Sequence, residues 1–234
     1  MQTTSSETSA RLSTGSEQGA LVAWLCVAAL FAGLNFLAAG AGETDRNVLY
    51  KYSFAGSSLV GFAILVGVTL LIARWMERPV AAIGLKGFAW RWLGAAAGVI
   101  LAVAILGVLL EPVLHAGEEQ GFEPTAWDPD RAGAFALNAV LVATLAPFAE
   151  ELFFRGLGVR ALLPFGGLAA IGVSALAFGL GHGLLVALPV LVVFGVGLGW
   201  VRLRSGSVWP GVLAHGLYNG AILLYVYLDL TSRI

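Results

Sequence analysis

Ala149-Glu150-Glu151-Leu152-Phe153-Phe154-Arg155-Gly156 places two adjacent carboxylates and a guanidinium inside a run, Ala132 to Leu163, that is otherwise largely Ala, Leu, Val and Phe. An ionised side chain near the centre of a bilayer costs roughly 2.5–3.5 kcal/mol on insertion scales, so such a cluster has to be paired, solvated or functional. On a helix Glu151 and Arg155 lie four apart and share a face, which lets them pair. Glu150 projects ~100° round the helix from Glu151 and needs a different partner.

The composition supplies the setting. Of 234 residues, 59% are hydrophobic and only 12% charged, with a mean hydropathy of +0.87. Soluble domains carry about 25% charged residues, so the solvent for this chain is lipid. A net charge of −1 and the lack of a basic run give no case for nucleic acid as a partner. The single cysteine, Cys26, rules out an internal disulfide framework and reads as a small core or lipid-facing residue.

Outward from that stretch, the chain divides into apolar runs and polar joints. Residues 1–19 are rich in Ser, Thr and Glu and are expected to form a disordered tail. Ala20–Gly40 is long enough to cross ~30 Å of hydrocarbon, and longer than the apolar core of a cleaved signal peptide. Further spans are expected at Phe54–Ala73 and Leu93–Leu110. Between them Arg74, Arg78, Lys86 and Arg91 alternate with Trp75, Trp90 and Trp92, which suits a headgroup-level segment. Glu111–Asp130 is read as an acidic loop, and its His115-x-x-Glu118-Glu119 as exposed loop rather than a metal site. The fourth span runs from Ala132 to Leu163 with a kink expected at Pro147. After the turn Pro164–Gly167, a fifth runs from Leu168 past His182, where Gly179, Gly181 and Gly183 would admit a neighbouring backbone. Leu185–Val201 and Gly211–Leu228 complete the set.

The fold class is therefore all-α: a polytopic transmembrane helical bundle of about seven spans. Three regions follow, a tail at 1–19, amino-terminal helices with the acidic loop at 20–131, and a helical core at 132–230. With the amino terminus inside, the inner face collects Arg11, Arg74, Arg78, Lys86, Arg91, Arg155, Arg160, Arg202 and Arg204. The outer face keeps only Arg46, Lys51, Arg131 and Arg233. The positive-inside rule favours that orientation.

Spacing then brings polar residues together. Glu150 lies 13 residues before Leu163 and His182 lies 15 after Gly167, so each stands roughly 20 Å from the same turn and at matching depth. His215 and Asn219, four apart, share a face of the last span, ~7–14 Å from its turn. That offset closes if the fourth helix projects beyond the hydrocarbon, with Arg155 and Arg160 in or near the headgroups. Each residue also has a structural reading. A lone intramembrane His or Asn often bonds a neighbouring helix, and Glu151 with Arg155 can be a purely structural ion pair. A second adjacent carboxylate at Glu150 adds cost without improving that pair.

Glu150-Glu151-x-x-x-Arg155, Phe178-x-x-x-His182 and His215-x-x-x-Asn219, in this order and each on an expected span, resemble the three-motif signature of the CPBP family. These are the CAAX prenyl endopeptidases and their bacterial Abi or bacteriocin-processing relatives. The resemblance covers about Ala132 to Leu228 and implies an intramembrane endopeptidase. Its substrate would be a membrane-associated protein or peptide, such as a prenylated CAAX-type tail, reached from the cytoplasmic side of a prokaryotic membrane. Glu150 and His182 would activate water, and His215 and Asn219 would hold the oxyanion. Glu151, Arg155 and Phe178 would support them. No cofactor is needed for this chemistry. Members have also been described as metalloproteases, and Glu150, His182 and His215 would be the set offered to Zn²⁺. Two other classes stay open: a transporter using the Glu/His cluster as a proton relay, and a non-catalytic membrane scaffold or immunity protein.

Overall fold

A backbone in lipid must satisfy its own hydrogen bonds, and this chain does so with helices alone among the residues described, 15–40, 45–115 and 124–232 of a computed structural model. Helix α1 is Gly15–Gly40 and α2 is Tyr52–Ala73, joined through a 3-10 turn at Val48–Tyr50. The short α3, Pro79–Ala82, precedes α4, Arg91–Leu114. Then come α5 (Ala132–Ala143), α6 (Leu145–Glu150), a π-helical segment (Glu151–Gly158) and α7 (Val159–Leu162). Last are α8 (Gly167–Gly181), α9 (Leu188–Ser205) and α10 (Trp209–Ser232).

Among the described residues, six segments are long and apolar enough to cross a membrane, the stretch Pro129–Phe165 counting as one. The expected fifth span, α8, is shorter. Its 15 residues reach only about 22 Å, less than the hydrocarbon thickness. Residues 15–19, expected in the tail, form the first turn of α1, and Glu17 there pairs with Arg160 at 2.7 Å. Residues 1–14 lie outside the described residues, as do Glu118, Glu119 and Glu123 of the acidic loop. Glu111, placed in that loop from sequence, instead lies in the last turn of α4, and His115 caps the helix with a left-handed backbone (φ 52). Cys26 is exposed on the lipid-facing surface of α1.

The kink in the fourth span falls at Thr144 (φ −126, ψ −64), three residues before Pro147. Proline carries no N–H and its ring presses on the carbonyl four residues earlier, which here is Ala143. The helix therefore opens one turn ahead of the proline, and α10 fits into the opening. A Cβ on Gly216 would stand 2.6 Å from the Ala143 carbonyl oxygen.

The two ends of the bundle are tied differently. At one, Val208 N–H donates to the Gly84 carbonyl at 3.1 Å, Ser207 Oγ to Lys86 at 2.7 Å, and Arg202 Nη2 to Ala82 at 2.9 Å. At the other, the fully buried Asn138 donates to the carbonyls of Leu49 (2.9 Å) and Lys51 (3.0 Å). Tyr50, Trp127, Phe135 and Tyr227 pack in tilted and edge-to-face contacts beside it. Arg131 lies over the Tyr50 ring and donates to Asp128, which holds that carboxyl below its usual range.

Helices α8 and α9 form a tight hairpin, and α4 packs against α9 and α10. The closest approach in the hairpin is at Gly195, where a Cβ would stand 2.8 Å from Ala175 Cα. Gly195→Ala should therefore lower stability by about 1–3 kcal/mol through overpacking. Thermal unfolding in detergent checks it, and an unchanged midpoint would contradict the packing.

Candidate active site

Hairpin spacing places Glu150 and His182 at one depth, and the structure agrees: His182 Nε2 lies 3.9 Å from Glu150 Oε2. His215 Nε2 lies 3.8 Å from the same oxygen. His215 reaches Glu150 despite the offset in depth expected from spacing. The α9–α10 turn is bonded to Gly84, and the neighbouring Ile83 carbonyl packs on Gly156 rather than near Leu163. Gly156 stands about 10 Å above Leu163 along the helix, so His215, about 9 Å from Trp209, reaches the level of Glu150. Arg155, expected in or near the headgroups, is shut away from the surface. It is fully buried within the bundle.

The π-helical segment explains how both carboxylates meet their partners. Its i→i+5 bonding, shown by Val159 N–H on the Phe154 carbonyl, takes roughly four and a half residues per turn, or about 80° per residue. Arg155 then lies about 40° to either side of Glu151 and Glu150. In an α-helix it would lie about 40° from Glu151 but about 140° from Glu150. Arg155 Nη1 is 3.0 Å from Glu151 Oε1. The same oxygen faces His215 Nδ1 at 3.2 Å.

Those contacts assign the imidazoles. The Nδ1 of His182 meets the Phe178 carbonyl at 2.8 Å, so it is the protonated nitrogen there. The Nδ1 of His215, against a carboxylate, is protonated in the same way. Both Nε2 atoms are thus turned to Glu150, at distances that a hydrogen-bonded water can bridge.

Phe178, fully buried, is the hub of the apolar wall. Arg155 Cζ stands 3.9 Å from its ring centroid, a cation–π contact. The His182 ring lies edge-on at 4.6 Å and His215 at 5.7 Å. Phe194, which sequence reasoning missed, packs on His215 at 5.1 Å. Asn219 shares the His215 face, but its amide donates to the Val142 carbonyl at 3.0 Å, in the turn that the break at Thr144 opens. Of the three glycines around His182, Gly183 (φ 69) meets backbone, at Asn35 of α1, while Gly179 and Gly181 meet side chains. Two adjoining apolar cavities of about 690 and 350 Å³ lie between α10 and the broken helix, sharing Ala143, Thr144, Gly220 and Leu224.

Two imidazole nitrogens and a carboxylate oxygen are the donors that Zn²⁺ accepts. Tetrahedral bonds of ~2.1 Å place ligand atoms about 3.4 Å apart. The observed separations are wider, and among the described residues no group of three His, Cys, Asp or Glu side chains is placed to hold a metal ion. The residues as placed do not fit the metal.

Residues 132–221 match the family described as Rce1-like, type II CAAX prenyl endopeptidase. The chain also resembles a Bacillus subtilis (strain 168) protein named "Putative membrane peptidase YdiL". They are 27% identical over 197 residues, covering 80% of this chain and 77% of that protein. No solved structure matches the chain significantly.

The buried pair Glu151–Arg155 yields a stability prediction. Arg155→Met should cost about 3–5 kcal/mol, because it leaves a buried carboxylate facing only His215. Arg155→Lys should recover little of that, since an ammonium lacks the planar face that lies on Phe178. Thermal unfolding of both variants checks this, and a wild-type midpoint for Arg155→Met would contradict it.

Proposed function

We propose, for a chain whose residues 132–221 match the Rce1-like type II CAAX prenyl endopeptidases, that it is an intramembrane endopeptidase in which Glu150 and His182 activate water. The observation that carries this reading is the convergence of two Nε2 atoms on one oxygen of Glu150. That geometry suits a water held for attack on a carbonyl. A water held between Glu150 and His182 loses its proton to the carboxylate as its oxygen attacks the scissile carbonyl.

His215 would stabilise the oxyanion. Its Nδ1 is committed to Glu151, so the oxyanion would be met by Nε2. One oxyanion donor is worth roughly 3–4 kcal/mol of transition-state stabilisation. Asn219, one turn on, holds one amide N–H on Val142 and would offer the other to the same oxygen. The substrate would be a membrane-associated protein or peptide, prenylated or not, and the apolar cavities beside α10 support an approach from the lipid. The cationic end that bears Arg160, Arg202 and Lys86 would face the cytoplasm.

Glu150→Gln should abolish cleavage of an internally quenched peptide by purified protein while keeping the wild-type unfolding midpoint. Unchanged cleavage would remove Glu150 from the reaction. Activity is expected to survive exhaustive chelation, and its loss with recovery on adding Zn²⁺ would make Glu150, His182 and His215 ligands instead. His215→Ala and Asn219→Ala should lower kcat more than they raise KM, and a pure KM effect would contradict the oxyanion role.

A further inference from the structure

The π-helical turn that aligns Glu150, Glu151 and Arg155 is a poor conformation when left to itself. Such turns are rare and short, and they persist where something outside the helix favours them. Eight residues, Glu151–Gly158, hold it here, and two of its carbonyls take a second donor from other helices. Trp24 Nε1–H, from α1, donates to the Phe153 carbonyl at 3.1 Å. Ser174 Oγ–H, from α8, donates to the Phe154 carbonyl at 2.7 Å. Phe154 O is also the acceptor of the Val159 N–H that defines the wide turn.

The fit around these donors is close. Trp24 is fully buried, with its ring 6.0 Å from Phe153, and a Cβ on Gly158 would stand 2.5 Å from the indole. Ser174 is also buried and lies four residues before Phe178 and eight before His182, on the stripe of α8 that faces the site. On the next turn, Gly156 meets the Ile83 backbone, where a Cβ would stand 2.7 Å from its carbonyl oxygen. The wide turn is thus gripped from three sides, and two of the grips are hydrogen bonds aimed at carbonyls that an ordinary α-helix keeps for its own N–H groups.

We propose that Trp24 and Ser174 are positioning residues for the active site. They hold the wide turn in register, and through it they set Arg155 over both carboxylates and Glu151 against His215. The amino-terminal span, outside the residues that match the family, then contributes to the catalytic geometry. Without the two donors the segment reverts toward α-helical bonding. That turns Arg155 away from Glu150 and loosens the Glu151–His215 contact.

The test uses full-length protein in detergent with Ser174→Ala, Trp24→Phe, the conservative Ser174→Thr, and Thr69→Val as control. Thr69 is buried and donates to the Leu65 carbonyl at 2.7 Å within its own helix. Its loss is a matched hydrogen-bond deletion away from the wide turn. Two readouts are taken: the imidazole nitrogen signals of His215 in ¹⁵N-histidine-labelled protein, and kcat and KM on an internally quenched prenylated peptide. The chain has three histidines, which makes assignment by substitution direct. Ser174→Ala and Trp24→Phe should shift the His215 signals and lower kcat about ten-fold with KM little changed. Ser174→Thr should restore both, and Thr69→Val should alter neither, whatever its unfolding midpoint. The proposal is overturned if His215 in both donor variants matches that in Thr69→Val. Its kinetic arm rests on the peptidase reading. If the wild type cleaves no peptide, that reading fails while the nitrogen signals still decide the role of Trp24 and Ser174.

Discussion

One carboxylate oxygen joins the site to the fold. Glu151 Oε1 meets Arg155 at 3.0 Å within its own helical segment and His215 at 3.2 Å across to α10. A carboxylate shut away from water is tolerable only while it is paired, so these two partners cannot part from it without a penalty of several kcal/mol. The pairing sets the rotation of the segment that carries Glu150. It also fixes which nitrogen of His215 faces Glu151, and therefore which one is turned to Glu150. The ion pair and the candidate reaction centre are a single network, with Phe178 beneath it as a shared apolar and cation-binding wall.

Glu150 stands between two departures from α-helical geometry. On one side Pro147 opens the helix at Thr144, and α10 enters the gap with Gly216 on the Ala143 carbonyl and Asn219 on Val142. On the other side the turn widens from Glu151 to Gly158. Irregular backbone at membrane depth is admissible only where protein supplies the missing hydrogen bonds, and here α1, α8 and α10 each supply some. The geometry around Glu150 therefore depends in part on α1, a helix that carries none of the candidate site residues. Trp24 makes the contact.

Much of this was legible from residue types and spacing. The ion pair of Glu151 with Arg155 follows from a four-residue interval in an apolar run, and the meeting of Glu150 with His182 from two distances to one turn. His215 required the guess that the fourth helix projects beyond the hydrocarbon; the structure shows only that the turn before α10 is held at the level of Gly156, through Ile83 and Gly84. Less legible were the places where backbone geometry departs from the ordinary. The kink came three residues ahead of its proline, and nothing in Glu151–Gly158 announced a wide turn. Phe194, Asn138, Trp24 and Ser174 read as ordinary members of apolar helices, because their roles consist of partners far away in the chain. Ser174, on the same stripe as Phe178 and His182, had a signal in its spacing.

By itself the sequence determined the solvent, the helical class, the run of spans and the chemistry on offer, because hydropathy and helical periodicity are local properties. It also determined which charges could pair within one helix. The tertiary structure decided the rest: that Glu151 is shared with His215, that Asn219 binds a freed carbonyl, and that α8 ends after 15 residues. Those outcomes depend on how close separate helices come, and that is set by glycines meeting particular backbones and by hydrogen bonds that a broken or widened turn leaves to be satisfied from elsewhere.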